Sequence, residues 1–168
     1  MESIILIGFM GSGKSSVGKE LSKLLNINLV EVDQLIADVA GKSIPEIFEE
    51  EGEAGFRERE FEVLKENLLS NQIIATGGGI LTYPKSAELI NRQSNVFFLK
   101  GDINVLIERI SRDKTNQRPL ANQKKESEII SLYKIREQSY HDAANYVIDV
   151  THKSITQIAQ EILNKVGR

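Results

Sequence analysis

The chain contains no cysteine, which excludes a disulfide framework, a thiol nucleophile and any cysteine-based metal site. It also lacks a basic excess. Its 21 Lys and Arg stand against 24 Asp and Glu, a net charge of −3, whereas a nucleic-acid binder presents a basic face to the phosphates. No nucleic-acid partner is expected. Long hydrophobic runs are missing too: the apolar stretch Ile4-Ile5-Leu6-Ile7 is far shorter than the roughly 20 residues that span a bilayer. The opening has neither the basic leader nor the cleavage site of a signal peptide, so no membrane contact and a cytoplasmic location are expected. There are no repeats, linkers or low-complexity tracts. The 168 residues, 40% hydrophobic and 27% charged, are expected to form one domain, residues 1–168, with a real core. The two histidines, His141 and His152, are expected at the surface, without partners for a metal site.

What the chain does have is Gly8-Phe9-Met10-Gly11-Ser12-Gly13-Lys14-Ser15, a G-x-x-x-x-G-K-S motif. It follows the apolar run and precedes Val17, Leu21, Leu24 and Leu25, the spacing of one helix face. A strand before and a helix after are the context this motif requires. Glycines allow successive N–H groups to turn inward, and the helix N-terminus adds partial positive charge. Gly11, Ser12, Gly13, Lys14, Ser15 and Ser16 are therefore candidate phosphate ligands. Lys14 would reach the β- and γ-phosphates and the Ser15 hydroxyl would ligate Mg²⁺. The chain is expected to bind a nucleoside triphosphate.

Leu29 to Asp33 reads as a second strand ending in two carboxylates, Glu31 and Asp33, on one face, directed into the crevice at the strand's carboxyl end. One carboxylate would orient a substrate hydroxyl and the other support the Mg²⁺ shell; alternatively, Asp33 caps a helix over 34–40. Ser43-Ile44-Pro45-Glu46 starts a short helix, Gly52 interrupts it, and a longer helix runs to about Ser70. On that helix Arg57 lies four residues before Phe61 on the apolar stripe of Phe61, Leu64 and Leu68. A guanidinium there must be paired, with a structural carboxylate or with an anionic ligand. A third strand, 72–76, runs into Gly77-Gly78-Gly79, which suggests close backbone approach to a ligand or simply a flexible turn. Pro84 opens a helix, 96–99 is a fourth strand, and Asp102 caps the next helix.

From about 112 to 126 periodicity is lost and polar residues dominate, a pattern suited to a lid. Arg118-Pro119-Leu120 lies within it. By composition Arg118 belongs to a solvated basic loop; on a closing lid it would stabilise phosphoryl charge. Ile129, Tyr133, Arg136 and Tyr140 then define another stripe carrying an arginine, and two inward arginines would make a clamp for one small anion. A fifth strand, 146–149, and a final amphipathic helix complete an alternating pattern. This predicts an α/β fold: a five-stranded parallel sheet with helices on both faces, the three-layer sandwich of P-loop NTPases, resembling nucleoside monophosphate kinases with their lid.

A GTPase would need an Asn-Lys-x-Asp loop, and the only Asn-Lys pair, Asn164-Lys165, lacks the aspartate. Motor and transporter ATPases need partner domains. A small-metabolite kinase needs a P-loop, an acceptor site with an anion clamp, and a lid, and all three have candidates. The combination of Gly-Ser-Gly-Lys-Ser, the carboxylates after strand two, Ile44-Pro-Glu-Ile-Phe, Gly52-Glu53, Phe56-Arg57, Thr76-Gly77-Gly78-Gly79, Arg118-Pro119-Leu120 and Arg136 resembles the shikimate kinase family over essentially the whole chain.

That resemblance implies transfer of the ATP γ-phosphoryl to the 3-hydroxyl of shikimate, on the route to chorismate and aromatic amino acids, by a monomer. Asp33 would hold the acceptor hydroxyl or serve as its base. Arg57 and Arg136 would grip the shikimate carboxylate, and Gly78 and Gly79 would approach the ring. Arg118 would close onto the phosphates; Arg109, in competition with Arg112, and Lys153 would lie by the adenine. Two positions depart from the family pattern. Glu31 stands where an aspartate is usual, one methylene longer toward the Mg²⁺ shell, and Ala121 follows Leu120 where a second leucine is common. Another small-metabolite kinase, for gluconate or nucleoside monophosphates, and a non-catalytic ATP-binding regulator are the alternatives.

Overall fold

In the computed structural model, residues 2–112 and 126–167 are described. Their centre is strand β1, Ile4–Ile7, every residue of which is buried. It is followed by α1 (Lys14–Leu25), β2 (Leu29–Glu31), α2 (Val32–Ala40), α3 (Ile44–Asn67), β3 (Ile73–Ala75), a 3-10 turn (Ile80–Thr82), α4 (Pro84–Asn91), β4 (Val96–Lys100), α5 (Ile103–Arg112), α6 (Glu126–Ala143), β5 (Tyr146–Asp149) and α7 (Ile155–Lys165). The five strands form one sheet in the order β2-β3-β1-β4-β5, parallel at every pairing. The chain leaves β1 toward one edge and later returns to fill the other side. The loop after β1 therefore sits where the strand order reverses, the place where open α/β sheets bind ligands.

Alternation along the strands assigns the two faces. Ile5, Ile7, Ile74, Val96 and Phe98 pack with residues of α2 to α6, among them Ile36, Leu64, Ile90, Leu106 and Tyr140. Ile4, Leu6, Ile73, Phe97, Leu99 and Ile148 pack with Val17 and Leu21 of α1 and Ile158 and Ile162 of α7. The expected three-layer α/β sandwich is thus present. Leu24, placed on the buried face of α1 by spacing, is instead exposed. Among the described residues no helix is long and apolar enough to cross a membrane.

Several elements differ from the sequence reading. Strand β2 stops at Glu31, and helix begins at Val32. Glu31 and Asp33 therefore do not share a strand face, and Asp33 sits in the first turn of α2 rather than capping it. The two segments either side of Gly52 form α3 with a kink at that glycine. Its buried stripe is Phe56, Arg57, Glu60, Val63 and Leu64, not the expected Phe61, which is half-buried beside Tyr83. His141 is likewise half-buried, edge-on to Phe98 with ring centroids 5.0 Å apart, while His152 is exposed as expected. Asp102 does cap α5, its carboxylate accepting from the Asn104 N–H at 2.9 Å.

Local start signals are explicit. At the head of α3, Ser43 Oγ accepts from the Glu46 N–H at 3.3 Å, and Glu46 Oε1 accepts in return from the Ser43 N–H at 3.3 Å. Proline occupies the first turn. This reciprocal cap satisfies two otherwise orphaned donors. Ser43→Ala should cost about 1 kcal/mol and lower the melting temperature by about 2–4 °C in a thermal denaturation followed by circular dichroism.

Candidate active site

The P-loop bridges β1 and α1 in a conformation that only glycine adopts without strain: Gly11 has φ +77° and Gly13, the N-cap of α1, has φ +94°. A Cβ on Gly11 would stand 2.9 Å from the Leu106 carbonyl oxygen, so the loop is pressed against α5 by backbone contact. Ser12 is buried, and its Oγ has no hydrogen-bond partner among the described residues, an orphaned donor within the cradle. Ser15 is half-buried and Ser16 exposed in the first turn of α1. Lys14 Nζ donates to the carbonyl oxygens of Gly8 at 2.6 Å and Phe9 at 3.1 Å. Phe9 is held edge-on by Tyr133 of α6, with centroids 5.3 Å apart.

Of the two arginines weighed for the nucleotide, Arg109 reaches the P-loop, its Nη1 donating to the Gly11 carbonyl at 3.4 Å. Arg112 is exposed and paired with Glu108 one turn back. Lys153 binds Glu161 at 2.8 Å, just ahead of α7, whose Ile155 approaches Gly13. Arg118, Pro119, Leu120 and Ala121, and with them all of the expected lid between Arg112 and Glu126, lie outside the described residues.

On the other side of the P-loop, the loop after β3 brings the candidate acceptor residues together. A Cβ on Gly79 would lie 3.0 Å from Arg136 Nη2 and 3.1 Å from Arg57 Cζ. Both guanidinium groups thus converge on this one backbone position, and a side chain there would displace them. Gly78 faces Arg136 Nη1, and its carbonyl accepts a 2.6 Å hydrogen bond from the Tyr140 hydroxyl. Burial pushes the Tyr140 hydroxyl up to about 12 despite the nearby Arg136 and Arg57 charges, so it remains a donor. Asp33 lies against Gly77: a Cβ there would meet its Oδ1 at 2.7 Å. A small cavity of about 60 Å³ opens beside Arg136, lined also by Gly78, Leu81 and Thr82.

Each of the two arginines keeps a buried Nε without a hydrogen bond among the described residues. Arg57 is 9% exposed and donates from Nη1 to Glu60 Oε1 at 2.8 Å. Its Nε is buried without a hydrogen bond, the Glu53 carboxylate standing 3.6 Å away. Arg136 Nε is also buried and unbonded among the described residues, as is Glu60 Oε2. Glu60 is fully buried, and burial raises its carboxyl to about 7, against the opposing pull of Arg57. Two guanidinium groups that meet at one glycine present the planar fork by which arginine binds carboxylate.

Glu60 is the residue that sequence reasoning missed. Its signal was present: it lies three residues after Arg57 and four before Leu64, on the face that Arg57 itself occupies.

Among the described residues no group of three or more His, Asp or Glu side chains could hold a metal ion. That donor set does not suit a dedicated metal cage. It does suit Mg²⁺ carried by phosphate oxygens and water with one or two protein oxygens, here Ser15 at the helix start and Glu31, half-buried where β2 ends.

A P-loop at the head of α1, on a five-stranded parallel sheet and beside two converging guanidinium groups and a carboxylate, is the arrangement of a P-loop kinase. Residues 10–167 match the family model for shikimate kinase. A shikimate kinase of Lactococcus lactis is 48% identical over 165 residues, 98% of either chain. One of Enterococcus faecalis is 40% identical over 166 residues, 99% of either chain. Among solved structures, shikimate kinase from Acinetobacter baumannii in complex with shikimate gives a TM-score of 0.90 at 36% identity, over 99% of this chain and 93% of the other. The chain belongs to the shikimate kinase family.

The raised Glu60 carboxyl has a measurable consequence. Below its unfolded value of about 4.5 both states are protonated. Between there and about 7 the unfolded chain loses its proton first, so this group makes stability fall as pH rises, fully so above 7. Relative to Glu60→Gln, the parent should lose up to about 3 kcal/mol between pH 4.5 and 8, at 1.36 kcal/mol per pKa unit. Paired urea melts across that range check it, and a constant difference between the two proteins contradicts the buried, proton-binding carboxyl.

Proposed function

We propose that the P-loop, Asp33 and the Arg57–Arg136 pair carry out in this chain the reaction of its family. The activity is phosphorylation of a shikimate hydroxyl, and we assign the transfer to the γ-phosphoryl of ATP and the 3-hydroxyl, giving shikimate 3-phosphate and ADP. The observation that carries the assignment is the convergence of the Arg57 and Arg136 guanidinium groups on Gly79, one β-strand away from the P-loop. A carboxylate held there places a polyhydroxylated ring over Gly78 and Gly79, with a hydroxyl toward Asp33.

The N–H groups of Gly11 to Ser16 bind the phosphates at the N-terminus of α1. Lys14 exchanges its loop carbonyls for β- and γ-oxygens. Ser15, with Glu31 through water, would hold Mg²⁺, which when bound neutralises charge on those oxygens. Arg109 and Lys153 flank the nucleotide base. Asp33 accepts the hydrogen bond of the acceptor hydroxyl and orients its oxygen in line with the γ-phosphorus. As the new O–P bond forms, the acceptor hydroxyl passes its proton to the Asp33 carboxylate, the bond to the β-phosphate oxygen breaks and ADP leaves. Arg118, in the lid assigned to about 112–126, stabilises charge on the transferring group. Such a reaction has a loose transition state in which positioning and electrostatics supply most of the acceleration. We infer a monomeric, cytoplasmic enzyme of one domain.

ADP release with Mg-ATP should require shikimate and should not occur with gluconate or nucleoside monophosphates. Release with one of those instead would move the acceptor assignment, and silence with all would favour a nucleotide-binding regulator. Lys14→Ala and Asp33→Ala should each lower kcat by at least about 100-fold in folded protein. Arg57→Ala should raise the shikimate KM by about 10- to 100-fold through loss of charge-assisted hydrogen bonds, with the ATP KM little changed. An unchanged shikimate KM would refute the clamp.

A further inference from the structure

Helix α3 bends at Gly52, whose φ of +73° and ψ of 177° lie outside helical geometry. A Cβ at this glycine would meet nothing within 4 Å, so packing around the glycine does not set the bend. Two contacts cross it instead, each between residues eight apart. Phe48 stacks on Phe56, with ring centroids 4.6 Å apart and planes at 26°. Glu51 accepts a forked pair of hydrogen bonds from Arg59, Nε to Oε1 at 2.8 Å and Nη2 to Oε2 at 3.1 Å. In a straight helix residues eight apart are separated by about 12 Å along the axis. Both contacts thus depend on the bend and resist its straightening. Lys42, from the connection between α2 and α3, binds the same Glu51 carboxylate at 2.7 Å and that of Glu50 at 2.6 Å.

The segment immediately beyond the bend carries Phe56 and Arg57, and the Arg57 guanidinium lies 5.1 Å from the centroid of the Phe56 ring. Arg57 thus stands five residues beyond the bend, on the segment that the contacts across Gly52 join to the start of α3. An apolar stack fixes separation but allows rotation and sliding, whereas a forked arginine–carboxylate pair also fixes orientation.

We propose that Glu51 is a positioning residue for the acceptor site: the Lys42–Glu51–Arg59 latch holds α3 at the bend that presents Arg57 to the substrate carboxylate. Glu51 touches no substrate and acts only through the arginine further along its helix. The proposal rests on the reading of Arg57 as the acceptor clamp. Hydrogen bonds from Arg59 and Lys42 hold the Glu51 carboxyl down at about 2, so the latch is charged at neutral pH, and as a half-exposed ion network it weakens with salt.

Glu51→Gln, Arg59→Gln and the double variant test it, read by steady-state kinetics and by amide hydrogen exchange over residues 44–60 of the full chain. Each single change should raise the shikimate KM by about three- to tenfold, with kcat and the ATP KM within about twofold of the parent. The double variant should be no worse than the more affected single one, because both remove the same contact. Exchange across the bend should accelerate. A folded Glu51→Gln enzyme with an unchanged shikimate KM overturns the proposal, and so does an equal loss in every kinetic parameter, which would mark a general structural defect. If the parent shows no shikimate-dependent ADP release, the acceptor assignment has failed on its own account. Exchange across the bend, unchanged or accelerated in Glu51→Gln, then decides whether the latch exists.

Discussion

Two guanidinium groups brought to one glycine, beside the buried Glu60 carboxyl, form the constraint on which this part of the structure depends. Desolvating an arginine is costly unless its donors are satisfied. Here the Nε atoms of both Arg57 and Arg136 are buried without hydrogen bonds. The fold holds this arrangement through its neighbours. Tyr140 ties α6 to the Gly78 carbonyl, Glu60 holds one end of Arg57, and α3 is anchored by its capped start and by the contacts across Gly52.

The same architecture couples the acceptor side to the phosphate side. Helix α6 contributes Arg136 to the clamp, Tyr140 to the glycine loop and Tyr133 to the packing of Phe9 within the P-loop. Helix α5 meets the P-loop from the nucleotide side through Leu106 and Arg109. Because the parallel sheet reverses its strand order at β1, the loops after β1 and β3 emerge side by side, and the reacting groups need no long excursions to meet.

Much of this was legible in sequence where the signal was local. The P-loop announced itself because its glycines, lysine and serine are contiguous and flanked by opposite periodicities. Arg57 and Arg136 stood out as charges on apolar stripes. Reading failed where two local rules competed. Leu29 to Asp33 looked like one strand because its apolar and acidic residues alternate, yet the helix claims Val32 and Asp33, and Asp33 reaches the site from a helical turn. Phe61 is placed on the apolar stripe by its spacing from Leu64 and Leu68. The kink at Gly52 rotates the following segment, so the buried stripe runs through Phe56, Arg57 and Glu60 instead.

The sequence by itself determined the phosphate cradle, the alternation of elements and the parallel α/β class, because each follows from near-neighbour chemistry and periodic burial. Only the tertiary structure decided that Arg57 and Arg136 converge on Gly79, that Arg109 rather than Arg112 touches the P-loop, and that a buried glutamate adjusts the clamp. Those facts depend on the angles at which helices cross the sheet and on the desolvation that their packing imposes. Neither quantity is written in the spacing of residues along the chain.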